Sequence, residues 1–305
     1  MSVALPESER VHSLIEQLEM LERDLSRVNV KQRDAATEQV SSLRLQLLDL
    51  LSDLLSNSDE NVRRAAAYGL SKLKDIRCVP ALRFALNDAD EAVKIWAIEG
   101  LSSFQDPSTV IALVRALGDE SVYVYYSACN ALRSMPAERV MPLILQELDS
   151  AAASMKKRLI KLLGDRGEHR AVPQLVALVR DADAGVRYEA VEALRKVGDR
   201  RAVEVLIGCL DDESHEVRCG AIQALRWMGD TRAVEPLVSM CLENAELRLL
   251  AVQALREIAG DEAIGPVVHA LHQTKELVKT TAAEVFRLSR MRRDEQMQSN
   301  TEAIQ

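Results

Sequence analysis

The chain has 305 residues, of which 48% are hydrophobic, 28% charged and only 3% aromatic. Its net charge of −8 argues against sequence-independent binding to nucleic acid, which needs Lys and Arg to displace counterions from phosphates. No apolar run approaches the roughly 20 residues of a membrane span, and the N-terminus lacks the pattern of a signal peptide. The five cysteines are odd in number and none has CxxC spacing, so we expect buried thiols in a reducing, cytoplasmic compartment.

Residues 1–56 predict a pair of helices that caps the part of the chain that follows. Apolar residues recur every three or four positions from Val11 to Val28, which is a heptad pattern. A second leucine-rich helix is predicted from about Lys31 to Leu55. One interpretation is a cap that covers the first repeat, and the other is a short coiled coil that forms a homo- or hetero-dimer.

A repeat of about 31 residues occupies residues 57–290. In the unit at Val186, apolar residues fall on one helical face, Gly198 ends that helix, and a shorter second helix follows. The sequence therefore predicts an all-α fold of eight helical hairpins, with a polar tail at 291–305. The first apolar position of each unit, here called its anchor, is Val62, Val93, Val124, Met155, Val186, Val217, Leu247 and Val278.

Charged residues also follow the repeat. The residue after the anchor is basic in seven of the eight units, and an aspartate lies five residues before several anchors. A basic row that faces an acidic row predicts a ladder of ion pairs between successive units, to which we assign a structural role. The aspartates of this row are Asp88, Asp119, Asp181 and Asp212.

The pattern VRxxAxxAL…GDxxAVPxL…D, seen in Met155–Asp181 and Val186–Asp212, resembles the HEAT-repeat family. It is most similar to the subclass named for phycobilisome lyases, and the resemblance covers roughly residues 45–290. It implies a right-handed α-solenoid, a superhelix in which the first helix of each hairpin lines the concave face. Proteins with these repeats include scaffolds, adaptors, chaperones and a few enzymes, so the resemblance is specific for fold and not for function.

Several aromatic and arginine side chains fall on positions that the buried stripe of the first helices leaves free. Tyr, Trp and Arg dominate binding hot spots, so we expect a partner-binding surface on the concave face. The alternative is that Trp96 and Trp227 fill gaps between units and that the arginines pair with neighbouring glutamates. The candidate residues are Tyr68, Trp96, Tyr126, Tyr188, Trp227, Arg133, Arg195, Arg226 and Arg256.

The fourth unit differs from the others by a cluster of basic residues. Either this is a solvated basic face, or it is a docking site for an acidic partner. The residues are Lys156, Lys157, Arg158 and Lys161.

No motif predicts catalysis or a metal site. His269 and His272 share a helical face, but two imidazoles alone make a weak site. The deoxyhypusine hydroxylases resemble this chain in fold and size and bind two irons through four His-Glu pairs, of which only His215-Glu216 has a match here. HEAT-like DNA glycosylases use a basic groove, which the acidic composition disfavours.

The sequence therefore favours a non-catalytic protein-interaction scaffold or adaptor with no cofactor and no nucleic-acid or membrane partner. The resemblance implies one alternative, a bilin lyase subunit or phycobiliprotein chaperone. In that case Tyr126, Tyr188 and Trp227 would stack a tetrapyrrole, with arginines pairing its propionates.

Overall fold

The computed structural model describes residues 7–25, 30–261, 264–271, 285 and 287, and in these ranges the regular elements are all helical. Short 3₁₀ turns precede several of the second helices. The α-helices are α1 (Glu7–Leu25), α2 (Val30–Leu54), α3 (Glu60–Leu73), α4 (Val79–Ala85), α5 (Glu91–Ser102), α6 (Pro107–Ala116), α7 (Val122–Ser134), α8 (Ala137–Ser150), α9 (Ala153–Arg166), α10 (Val172–Leu178), α11 (Ala184–Val197), α12 (Val203–Gly208), α13 (His215–Met228), α14 (Val234–Glu243), α15 (Arg248–Ala259) and α16 (Ile264–Leu271).

The chain forms two compact units, residues 1–147 and residues 148–305. In the first unit α3, α5 and α7 lie side by side, and in the second α9, α11, α13 and α15 do the same. The second helix of a hairpin packs against the first helix of the next one, as α4 does on α5 and α12 on α13. This repeated arrangement confirms the predicted all-α solenoid.

The predicted apolar stripe forms the core of each unit. Val93, Val186 and Val217 are fully buried, and the alanines four residues after these anchors are buried as well. Small side chains at that position let neighbouring first helices approach closely. Met155 is only half-buried, and the eighth anchor, Val278, lies outside the described residues, as does the predicted tail at 291–305.

Helices α1 and α2 both pack on α3. Gly69 of α3 makes room for them, because a Cβ added there would lie within about 3 Å of side-chain carbons of Leu51 and Ile15. On the same helix α1, Met20 and Leu21 are exposed. A cap must cover the first repeat, and α1 and α2 do so through their contact with α3. The domain boundary at residue 56 and the dimer stay predictions.

Glycine ends the first helix where the sequence predicts it. Gly198 ends α11 with φ +70°, in the left-handed region that favours glycine, and Gly167 and Gly229 do the same for α9 and α13. In the first repeat Lys74 occupies the corresponding place with φ +49°. A side chain in this backbone conformation is strained.

We therefore expect Lys74→Gly to raise the free energy of unfolding by about 0.5–1 kcal/mol, since relief of left-handed strain exceeds the added chain entropy. Urea denaturation followed by circular dichroism measures the change. The reciprocal control is Gly198→Ala, which meets no atom within 4 Å and should lower stability by about 1 kcal/mol through backbone conformation alone. A loss of stability in Lys74→Gly would contradict the assignment of strain.

The predicted ion-pair ladder is confirmed in four repeats, and each rung joins residues 25 positions apart. The nitrogen–oxygen distances of the four pairs are 2.6 to 2.8 Å. The rungs are Arg63–Asp88, Lys94–Asp119, Lys156–Asp181 and Arg187–Asp212.

The most enclosed rung is Arg187–Asp212, whose side chains are 7% and 11% exposed. Burial alone would raise the pKa of Asp212, but the hydrogen bonds from Arg187 and from the Ser214 amide outweigh it and lower that pKa. The ionised form of this carboxylate is therefore the one that the fold stabilises.

The sequence pattern predicts a rung in every repeat, but the ladder is interrupted in the structure. Arg218 donates to the carbonyls of Asp212 and Glu213, but its Nε has no hydrogen-bond partner among the described residues. The repeat at Val217 is one residue shorter than the others, and Leu242 stands where an aspartate would complete the rung.

Candidate functional site

Three large apolar side chains are exposed on neighbouring first helices of the second unit. Tyr188 of α11 is 37% exposed, and Trp227 of α13 and Leu249 of α15 are each 71% exposed. Because α11, α13 and α15 pack side by side, these residues share one row of helices. We call Tyr188, Trp227 and Leu249 the α11–α15 surface.

The local sequence explains why these side chains face outward. On α13 the stripe of Val217, Ala221 and Leu225 is fully buried, which leaves Trp227 off the packed face. Tyr188 lies across the next helix, because a Cβ added at Gly220 would lie 3.4 Å from its ring.

A thiol, an imidazole and a carboxylate meet at the N-terminal end of α13. The Sγ atom of Cys219 lies 3.7 Å from each ring nitrogen of His215, and His215 Nε2 lies 3.2 Å from Glu246 Oε1. Burial raises the pKa of the Cys219 thiol, and nearby glutamates, Glu246 among them, add to that effect. Such a thiol stays protonated, which is the opposite of what a nucleophilic cysteine needs.

Sequence reasoning missed this group, which spans α13 and the turn before α15. The available signal was the spacing of His215 and Cys219, four residues apart on one helix face. Glu246 comes from the next repeat, so its part in the group is visible only in the folded chain.

Three of the predicted arginines are paired with carboxylates of this chain. Arg195 pairs with Glu192 of its own helix at 2.7 Å, and Arg226 pairs with Glu257 of the adjacent α15 at 3.5 Å. Arg256 contacts Asp261 at 2.8 Å, and Arg133 on α7, which is exposed, also has an interaction partner. Such pairs agree with the alternative that the arginines pair with neighbouring carboxylates. A binding role for the arginines stays a prediction.

Tyr68 and Trp96 lie inside a contact of the first unit. Both are half-buried, and their rings meet edge to face with centroids 4.8 Å apart. The ring of His12 stacks on Tyr68 at 5.5 Å, and Lys72 Nζ lies over both Tyr68 and Trp96. These residues therefore fill the space where α1, α3 and α5 meet. Trp96 thus fills a gap between helices, as the packing alternative predicts, whereas Trp227 is exposed.

Tyr126 belongs to an exposed patch at the start of α7. Its side chain is 50% exposed, beside Tyr123 at 70% and Val122 at 60%. Sequence reasoning named Tyr126 and missed the other two. The signal was the Tyr-x-x-Tyr spacing, which places Tyr123 and Tyr126 on one face of the helix.

Part of the basic cluster of the fourth repeat is paired with a carboxylate of the protein itself. Lys156 forms the ladder rung with Asp181, and Lys157, Arg158 and Lys161 are half-buried. Burial raises the pKa of Glu189 on α11, and the nearby lysines, Lys161 first, act against that rise. Docking of an acidic partner on Lys157, Arg158 and Lys161 stays a prediction.

Within the described ranges, none of the helices is both long and apolar enough to cross a membrane. Among the same residues, no three His, Cys, Asp or Glu side chains are grouped so that they could hold a metal ion. The side chains of His269 and His272 lie outside the described residues. A cytoplasmic location stays a prediction.

Three solved structures are among those similar to this chain. An engineered protein is 22% identical over 93% of this chain and 89% of its own, with a TM-score of 0.40. The complex of CpcE and CpcF of phycocyanin lyase from Nostoc sp. PCC7120 is 20% identical over 80% and 94%, with a TM-score of 0.33. Human deoxyhypusine hydroxylase in complex with glycerol is 19% identical over 92% and 98%, with a TM-score of 0.31.

The family comparison identifies the repeat itself. The family described as HEAT repeats matches residues 79–146, 141–216 and 186–244. The family described as PBS lyase HEAT-like repeat matches residues 62–88. No curated protein matches the chain. Because the HEAT-repeat matches together run from residue 79 to residue 244, more than half of the sequence, this chain belongs to the HEAT-repeat family.

Proposed function

We propose that this protein is a non-catalytic scaffold or adaptor that binds a partner protein on the α11–α15 surface. The observation that carries the proposal is the exposure of Tyr188, Trp227 and Leu249 on three adjacent helices. In a chain with only 3% aromatic residues, a Trp and a Tyr in water on one row of helices indicate a binding surface.

The energetics of the α11–α15 surface favour a protein partner. An aromatic side chain carries on the order of 150–250 Å² of surface, worth about 25 cal/mol per Å² when it is removed from water. Trp227, which is 71% exposed, would contribute most of its surface, and Tyr188, which is 37% exposed, a smaller part. The helices beneath are packed on fully buried valines and alanines, so little backbone freedom is lost on binding. Trp and Tyr are also the side chains that most often dominate protein interfaces.

The polar groups around the surface support binding rather than catalysis. Cys219 has a raised pKa, and Arg195 and Arg226 are held by Glu192 and Glu257. Ion pairs at the border of an apolar patch contribute orientation and specificity to an interface more than affinity.

A pull-down from the host lysate, quantified by mass spectrometry, tests the proposal. We expect the wild-type protein to retain a partner that the variant Tyr188→Ala/Trp227→Ala/Leu249→Ala loses by about tenfold or more, since these side chains would form the buried centre of the interface. The matched control is Val122→Ala/Tyr123→Ala/Tyr126→Ala, which removes similar exposed area from α7. All proteins must show the same helical circular dichroism.

Comparison of the two variants shows which results would contradict the proposal. A partner retained equally by wild type and by the α11–α15 variant would overturn the proposal. A partner lost only from the α7 variant would move the site to the first unit.

The second candidate function is a bilin lyase subunit or phycobiliprotein chaperone, and the PBS lyase HEAT-like match at residues 62–88 is the observation in its favour. This function predicts that the protein purified from a bilin-producing host absorbs visible light. It also predicts that the α11–α15 variant loses the absorbance. A colourless wild-type protein that still retains its partner would favour the scaffold.

A further inference from the structure

A second apolar surface lies on the second helices of the first unit. A cleft of about 570 Å³ runs between α4 and α6. Phe84 of α4 and Ile111 of α6 line it and are 59% and 36% exposed, and Pro80, Leu86 and Ala112 complete its apolar wall. None of these residues belongs to the α11–α15 surface.

Two arginines border the same cleft. Arg83 and Arg115 are exposed, and within the described part of the chain neither has an ion-pair partner. The aspartates near them are already used, because Asp88 pairs with Arg63 and Asp119 with Lys94. The ladder therefore leaves a basic border around an apolar cleft in a chain whose net charge is −8.

This combination is not a general property of the repeat. In the second unit a cleft of about 550 Å³ lies between α12 and α14. Exposed Asp211 and Glu243 border that cleft, and Asp212 in its wall is held by Arg187. Arg218 also lines that cleft, but its exposed border is acidic, whereas the exposed border of the cleft between α4 and α6 is basic.

We propose that the cleft between α4 and α6 binds an acidic amphipathic helix of a partner protein. Apolar side chains of that helix contact Phe84 and Ile111, and its carboxylates pair with Arg83 and Arg115. An amphipathic helix suits a groove between two helices because its apolar face fills the groove while its own backbone hydrogen bonds stay intact. Charge complementarity selects acidic over basic partners.

Fluorescent peptides of defined pattern test the proposal with the full-length chain. The probe is a peptide of about 16 residues, long enough to form a helix, with leucines at i, i+3, i+4 and i+7 and glutamates elsewhere. One control peptide replaces the glutamates with lysines, and another spreads the same leucines around the helix. We expect fluorescence anisotropy to show micromolar binding of the probe and affinities weaker by about tenfold or more for both controls.

Variants of the protein locate the binding. Arg83→Glu/Arg115→Glu should weaken the probe by about tenfold or more, and Phe84→Ser/Ile111→Ser should do likewise. The matched control, Arg139→Glu/Arg180→Glu, makes the same change of charge at two other exposed arginines and should leave the affinity within about twofold.

Three results would overturn the proposal. They are the absence of probe binding, equal binding of the lysine peptide, and equal effects of the Arg83/Arg115 and Arg139/Arg180 variants. The variant Tyr188→Ala/Trp227→Ala/Leu249→Ala should bind the probe like wild type, so failure of the cleft and failure of the α11–α15 surface are distinguishable.

Discussion

Asp212→Ala is expected to lower the free energy of unfolding by about 3 kcal/mol. Removal of one partner from a buried ion pair costs about 3–5 kcal/mol when the remaining charge is left without compensation. The effect should fall at the low end of that range, because Arg187 keeps its bonds to the carbonyls of Asp181 and Ala182 and its ion pair with the exposed Glu213 at 2.9 Å. Urea denaturation followed by circular dichroism measures the loss, with an unchanged denaturant slope.

The matched control for this rung is Glu204→Ala. Glu204 pairs with Arg232 at 3.1 Å, but its side chain is 69% exposed, and Arg232 also binds Asp230. An exposed pair of this kind is worth about 0–1 kcal/mol. If Asp212→Ala and Glu204→Ala cost the same, burial of the Arg187–Asp212 rung would have no energetic consequence.

Gly164→Val should be comparably destabilising, by about 3 kcal/mol. A Cβ added at Gly164 of α9 would lie 2.8 Å from the Cα and 2.9 Å from the Cβ of Ala193 on α11. These atoms belong to or adjoin the backbone and cannot rotate away, so the two helices must move apart. Thermal and urea unfolding of the variant measure the cost.

Gly208→Val is the control for the glycine. A Cβ at Gly208 meets nothing within 4 Å, and the residue sits in ordinary helical backbone at the end of α12. Its substitution should change stability by less than about 0.5 kcal/mol. A similar loss in both variants would show that valine acts through helix propensity and not through contact with Ala193.

The repeat period allowed the helices, the buried anchors and the four ladder rungs to be predicted. Each of these depends on residues at fixed spacing within a unit or its neighbour, as with Val186 and the Arg187–Asp212 pair. The same spacing also contains the interruption at Arg218, where Leu242 replaces the acidic residue, although the prediction had the ladder continue. Such features are local, so one sequence contains the information.

The exposure of individual side chains was harder to predict. Trp96 and Trp227 occupy similar positions relative to the apolar stripe, yet Trp96 is half-buried and Trp227 is 71% exposed. The difference arises on neighbouring helices, because Tyr68 and Lys72 lie against Trp96. The helical period predicts on which face of its own helix a side chain lies. Its exposure also depends on the side chains of the neighbouring helix.

The ladder also bears on how the chain folds. Each rung joins residues 25 positions apart, and within each unit the first helices of neighbouring repeats contact one another. Native contacts of such short sequence separation give a low contact order, for which loop closure costs little entropy and folding is fast. A pair of repeats can therefore nucleate at any of several places and extend by addition of one hairpin at a time.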